Sequence, residues 1–242
     1  MKAFHDDHSI KEKYLARVKA HREADNLIRG TGWEDGKGCA IGCTLESYDH
    51  SRYPIEIGIP TWLAYLEDKM FECLPLDEAM HWPERFLDAI NVGSDLDKIK
   101  RPFLIFMLES VLEKFDHEKF HNVKISVEEV ITLLSDPIST VEDFISARNT
   151  ADAAAAAASY AARAAAYAAD AAAAAYAEDD AAYAARAAYA AANAAAYAAA
   201  DYPAAYAAAA YAATAYAAAY AVAADEYIKL ADKLIELIKE TK

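Results

Sequence analysis

Apolar residues along the first part of the chain recur at helical rather than strand spacing. Between Ser9 and Arg29, Tyr14, Leu15, Val18, Leu27 and Ile28 form one side of an amphipathic helix. Ser9, followed by Glu12 at the capping-box interval, is the expected N-cap, and Gly30 the expected stop. Pro60 is placed to open a helix to Leu74, with Trp62, Leu63, Leu66, Met70 and Phe71 at helical intervals. Leu76 to Ile90 reads as the next, with Pro83 near a first turn or at a kink. Asp97 to Phe115 carries Phe103, Leu104, Phe106, Met107, Val111 and Leu112 and is expected to be central to the core. Ser126-Val-Glu-Glu repeats the capping-box pattern and opens a short helix that stops before Pro137. Sustained two-residue alternation is missing, so no sheet of consequence is expected.

The pattern changes from about Ile138. Residues 151–224 are about two-thirds alanine, the strongest helix former, but a methyl group removes little area from water. Tyrosines supply large rings, and the alanines between them let a neighbouring helix approach closely. At about 100° per residue, Asp152, Ser159, Arg163 and Asp170 share one stripe, whereas Arg186 and Asn193 fall on another face. The solvent side therefore shifts between Asp170 and Asp180. Glu178-Asp-Asp180 marks either a break with a new cap or a change of partner along one helix. Asp201-Tyr-Pro203 is a clearer boundary: the residue before proline resists helix, proline suits a first turn, and Asp201 can cap. The last helix then runs from Pro203 to about Glu240, nearly 60 Å at about 1.5 Å per residue. It ends in a seam of Tyr227, Leu230, Leu234, Leu237 and Ile238.

The expected fold is all-α. An N-terminal domain of short helices with a glycine/cysteine-rich loop spans residues 1–137. Long alanine/tyrosine-rich helices over 138–242 form an antiparallel hairpin or bundle, with a turn near 201–203. The seam needs a partner surface, in this chain or in a second copy, and homo-oligomerisation through these helices is expected.

Charge narrows the function classes. The 242-residue chain has a formal charge of −15, with 18 Lys/Arg against 28 Asp/Glu in residues 1–150 and 6 against 11 in the remainder. No segment gathers enough basic residues to neutralise a run of phosphates, so direct nucleic-acid binding is not expected. The alanine half is too dilute in acids for a nucleic-acid mimic. Charges interrupt the alanine tract and the run Pro102–Leu108 is too short to cross a bilayer, so no membrane span is expected. The first eight residues carry no signal core, and three cysteines then point to free thiols in a reducing compartment, the cytoplasm.

Five of the seven glycines fall in Gly30-Thr-Gly-Trp-Glu-Asp-Gly-Lys-Gly-Cys-Ala-Ile-Gly-Cys43. Glycines ahead of a helix start expose backbone N–H groups to an anion, and Lys37 would add charge. The P-loop spacing, and its Ser or Thr after lysine, are absent. The competing reading is a tight structural crossing anchored by Trp33. Candidate ligand-binding residues are Trp33, Gly36, Lys37, Gly38, Cys39, Cys43 and His50.

Cys39, at a helix start, is expected to have a lowered pKa; with His50 or His81 as base it is a candidate thiol nucleophile. No Cys-His-Asn signature accompanies it. A zinc site would have to assemble Cys39, Cys43, His50 and Cys73, which the spacing does not organise. His5, Asp6, Asp7 and His8 read as solvent-exposed residues of a flexible terminus. His21 and Asp25 read as a helix-surface hydrogen bond, and Asp49-His50 and Asp116-His117 as single pairs. The tyrosines read as core packing rather than a stacking platform, and the alanines lack the regular threonines of an ice-binding face. No metal, cofactor or complete catalytic set is expected.

Several segments carry a resemblance: Lys11-Glu-Lys-Tyr-Leu-Ala-Arg-Val-Lys-Ala-His-Arg-Glu-Ala-Asp25, Gly36-Lys-Gly-Cys-Ala-Ile-Gly-Cys-Thr44, Gly58-Ile-Pro60, Leu66-Glu-Asp-Lys-Met-Phe-Glu72, Trp82-Pro-Glu-Arg-Phe-Leu-Asp-Ala-Ile90 and Val92-Gly-Ser-Asp-Leu96. Over about the first 110 residues the chain resembles a family of uncharacterised proteins from phages and bacterial mobile elements. The resemblance implies origin, with counter-defence as a fitting context, and carries no activity or site residue across. The functional expectation is a non-enzymatic binding protein in the cytoplasm of a bacterial host. Its site near the glycine loop would take a protein partner or a small anionic ligand. The alternatives are a cysteine-dependent enzyme using Cys39 and a purely structural helical spacer or assembly protein.

Overall fold

The computed structural model describes residues 1–113, 121–140, 142–143, 146–147 and 212–241. The protein is all-α, with eight helices and one two-stranded ribbon among the described residues. The chain divides into two compact units, one of Met1–Lys100 with Ala231–Lys242, the other of Arg101–Leu230.

In the first unit, α1 (His8–Glu23) is capped by Asp7 rather than Ser9: the Asp7 carboxylate accepts the Ser9 N–H at 2.8 Å. The helix also stops well before Gly30. Asp25 takes φ +53, and the Asn26 and Asp25 N–H groups donate back to the His21 and Arg22 carbonyls at 2.9 and 3.2 Å. These two bonds close a helix over a left-handed residue. The expected His21–Asp25 bond is not made. His21 instead faces Asn26 through Nδ1 at 3.4 Å and Glu46 through Nε2 at 3.9 Å.

The N-terminus is fixed rather than flexible. The Ala3 N–H donates to Ser94 and the Gly93 N–H to Ala3, both at 2.9 Å, and Phe4 is fully buried. His5, Asp6, Asp7 and His8 thus keep exposed side chains on an anchored backbone.

A ribbon of β1 (Trp33–Glu34) and β2 (Lys37–Gly38) precedes α2 (Ala40–Leu45) and α3 (Arg52–Ile57). Next come α4 (Thr61–Cys73), entered through Pro60, and α5 (Leu76–Ala89), which holds Pro83 in its interior. Leu63, Leu66, Met70 and Phe71 of α4 share a core with Trp82, Phe86 and Leu87 of α5, all fully buried. Truncating one of these aromatics is worth about 3–5 kcal/mol.

The last turns of α8 (Ala212–Glu240) belong to this unit. Asp232 pairs with Arg85, and the Asn91 amide donates to the Lys239 and Thr241 carbonyls at 3.3 and 3.1 Å. Leu234 and Ile238 are fully buried, so this part of the seam is covered within one chain.

The second unit contains α6 (Lys100–Leu112) from Arg101 onward, α7 (His121–Ser135) and α8 as far as Leu230. Phe103, Met107 and Leu108, then Val127, Val130 and Leu134, then Tyr227 and Leu230 are buried. The Arg101 guanidinium donates to the Asp136 carbonyl at 2.7 Å, just past the end of α7. The helix expected to open at Ser126 already starts at His121. None of the described helices is long and apolar enough to cross a membrane. The turn at 201–203, the change of face near Glu178 and the Asp116-His117 pair lie outside the described residues.

Candidate functional site

The glycine string folds as a crossing of closely packed chain segments. Asp35 and Gly36 make the two-residue turn between β1 and β2 with φ +49 and +80, the left-handed pair that Asp-Gly supplies to such hairpins. Beyond the turn, the Gly38 carbonyl accepts the Ile28 N–H at 2.8 Å and the Gly38 N–H donates to Asn26 at 3.0 Å. The Gly32 carbonyl is pressed against Gly38 and Gly42: a Cβ there would stand 2.2 and 1.9 Å from that oxygen. The Tyr48 ring lies on Gly32 itself, 2.5 Å from where a Cβ would be.

This packing removes the anion cradle expected from the glycines. The Gly38 N–H is taken by Asn26, and the Cys39 N–H by the Thr31 and Gly32 carbonyls at 2.8 and 3.2 Å. The following helix has six residues, all buried. Gly36 and Lys37 are exposed on the hairpin. Trp33 is half-buried, edge-on to the His21 ring at 5.5 Å and against Gly42. A crossing held by Trp33 is what the glycines build.

A polar cluster adjoins it. His50 is buried, stacked on the Tyr65 ring at 3.9 Å and 9° and edge-on to Tyr48 at 5.0 Å. Its Nε2 and the Tyr48 hydroxyl both donate to Oδ2 of Asp68 at 3.2 Å. The Cys39 thiol faces the same carboxylate. Oδ1 of Asp68 is buried without a partner among the described residues. One turn further along α4, Glu72 accepts the Gly30 N–H with both oxygens at 3.1 and 3.0 Å. Burial raises the Glu72 pKa, and the neighbouring Arg29 opposes that rise. Two acids of α4 thus tie down the loop on either side of the crossing.

Neither thiol of the glycine loop is activated. Burial pushes the Cys39 pKa well up, and the Asp68 charge pushes it further, reversing the lowering expected at a helix start. Burial takes Cys43 up to about 12, and its Sγ donates to the Gly38 carbonyl at 3.4 Å. Cys39 and His50 meet only through Asp68. His81 lies elsewhere, in a groove of about 410 Å³ with Leu15, Arg22, Glu84, Arg85 and Asp88. A thiol held protonated beside a carboxylate is the opposite of a poised nucleophile. Among the described residues, no group of three or more His, Cys, Asp or Glu is arranged to hold a metal ion.

On the neighbouring helical position, Glu67 is fully buried. Its Oε2 accepts the Tyr53 hydroxyl at 2.5 Å, and its backbone carbonyl accepts the Trp82 indole at 3.0 Å. Sequence spacing brought out Gly38, Cys39, Cys43 and His50 but not Tyr48, Tyr65, Glu67 or Asp68. One signal was available: Glu67 sits four residues from both Leu63 and Phe71, inside the apolar stripe of α4.

Comparison of the chain with models of protein families, with curated proteins and with solved structures found no match.

Proposed function

We propose that this chain is a non-enzymatic binding protein that recognises a protein partner through a face built on the glycine crossing, with Tyr48 as its anchoring ring. One observation carries this. Tyr48 is 55% exposed, yet its ring rests on Gly32 and its hydroxyl is bonded to the buried Asp68. Ordering a free surface side chain costs a complex about 0.5–1.5 kcal/mol; here that ordering precedes binding. Tyrosine is also among the residues that dominate interface energies. Ile28, 38% exposed and bonded through its N–H to Gly38, adds a second apolar side chain to the same crossing.

A protein partner is favoured over a small anion because the Gly30, Gly38 and Cys39 N–H groups are already engaged. The raised Cys39 thiol weighs against the cysteine-enzyme alternative. In keeping with the resemblance of its first 110 or so residues, the protein would act inside a bacterial host, with counter-defence as its setting. Affinity purification of the full chain from host cells, wild type beside Tyr48→Ala, tests the proposal. A stoichiometric partner held by the wild type and lost from the folded variant supports it; equal retention contradicts it.

A further inference from the structure

We propose that Glu67 is carried as a neutral carboxylic acid, and that its ionisation leaves an uncompensated charge buried among α2, α3, α4 and α5. The first unit would then be alkali-sensitive through one buried group. The geometry sets this up. Glu67 is fully enclosed, Tyr53 is its donor on Oε2, and Oε1 has no partner among the described residues. No described residue forms an ion pair with it.

The groups that face Glu67 come from four helices. From α3 comes the Tyr53 hydroxyl; from α4 itself, the Asp68 carboxylate. Helix α2 brings the Thr44 hydroxyl up to Tyr53 and contains no charged residue. From α5, Trp82 takes the backbone carbonyl. None of these is a cation, and an uncompensated carboxylate in such a place neutralises rather than stays charged.

The neighbouring acids divide their roles. Asp68 receives two donors, Tyr48 and His50, whereas Glu67 receives one. Burial raises the proton affinity of Glu67 well above the ordinary carboxylate range; the Tyr53 bond pulls the other way, and the Asp68 charge adds to the rise. Tyr53 is itself pushed far up by burial, so it stays protonated as a donor.

The sign follows from linkage. In the unfolded chain a glutamate ionises at about pH 4.3. Above that pH the unfolded chain has released this proton while the folded one keeps it. Stability from this group is therefore whole below the unfolded pKa and falls as pH rises toward the folded value. The unfolding constant grows tenfold per pH unit across the window, about 1.4 kcal/mol.

Urea unfolding of the full chain across pH, together with infrared spectra, tests it in wild type, Glu67→Gln and Tyr53→Phe. Glu67→Gln should flatten the wild-type loss of stability with pH and remove a protonated-carboxyl band present near neutral pH. Tyr53→Phe, which deletes the donor, should make that band persist to higher pH, and it reports even where Glu67→Gln fails to fold. Parallel pH slopes in wild type and Glu67→Gln, or a wild-type spectrum without the band, would overturn the proposal.

Discussion

The Tyr48 hydroxyl and the His50 ring nitrogen share one oxygen of Asp68, each at 3.2 Å. An exposed ring and a buried one are thereby held by a single buried carboxylate. Removing the hydroxyl takes a donor from a group already short of partners on Oδ1. Tyr48→Phe should cost about 1.5–3 kcal/mol in urea unfolding, the range for a hydrogen bond to a charged group. A loss near zero would mean that Asp68 does not hold the ring.

The two kinds of glycine in the loop should separate under substitution. Gly42→Ala drives a methyl to 1.9 Å from the Gly32 carbonyl, an overpacking expected to cost about 3 kcal/mol or more. Gly36→Ala meets open space at φ +80 and bears only the left-handed backbone penalty of about 1–2 kcal/mol. Thermal or urea midpoints would rank them, and equal losses would be inconsistent with the crossing.

Thiol reactivity should follow burial rather than position at a helix start. With iodoacetamide near neutral pH, half-buried Cys73 should be alkylated first. Cys39 and Cys43, buried and pushed up in pKa, should label only as the fold opens. Rapid, selective labelling of Cys39 would instead revive the nucleophile.

Leu234 is covered within one chain. Leu234→Ala should therefore lower stability by about 2–5 kcal/mol and leave the mass in light scattering unchanged. A drop in mass with an unchanged unfolding midpoint would assign the seam to a second copy.

Regular periodicity was legible, and local exceptions were not. Pro60 and the spacing of Trp62, Leu63, Leu66, Met70 and Phe71 mark α4 to within a residue. The end of α1 is hidden because Asp25, not a glycine, takes the left-handed position. Ser9 and Ser126 matched capping boxes, but Asp7 caps the first helix and α7 begins at His121. A four-residue pattern does not say which nearby acceptor reaches the free N–H groups. The glycine cluster was visible as an anomaly, yet a glycine that opens room for a ligand and one that opens room for the Gly32 carbonyl read alike in sequence. The partners of Cys39 and His50 come from α4, and only the fold brings Asp68 to them. Glu67 was legible in principle, as an acid within an apolar stripe.

The most direct measurement is quantitative affinity purification of the tagged full chain from bacterial host cells, comparing wild type, Tyr48→Ala and a control at exposed Ile125. Tyr48→Ala should weaken retention of a stoichiometric partner by about 30-fold or more, corresponding to a hot-spot loss of about 2 kcal/mol, while Ile125→Ala retains it. A partner held equally by all three folded proteins would contradict the binding face on the glycine crossing.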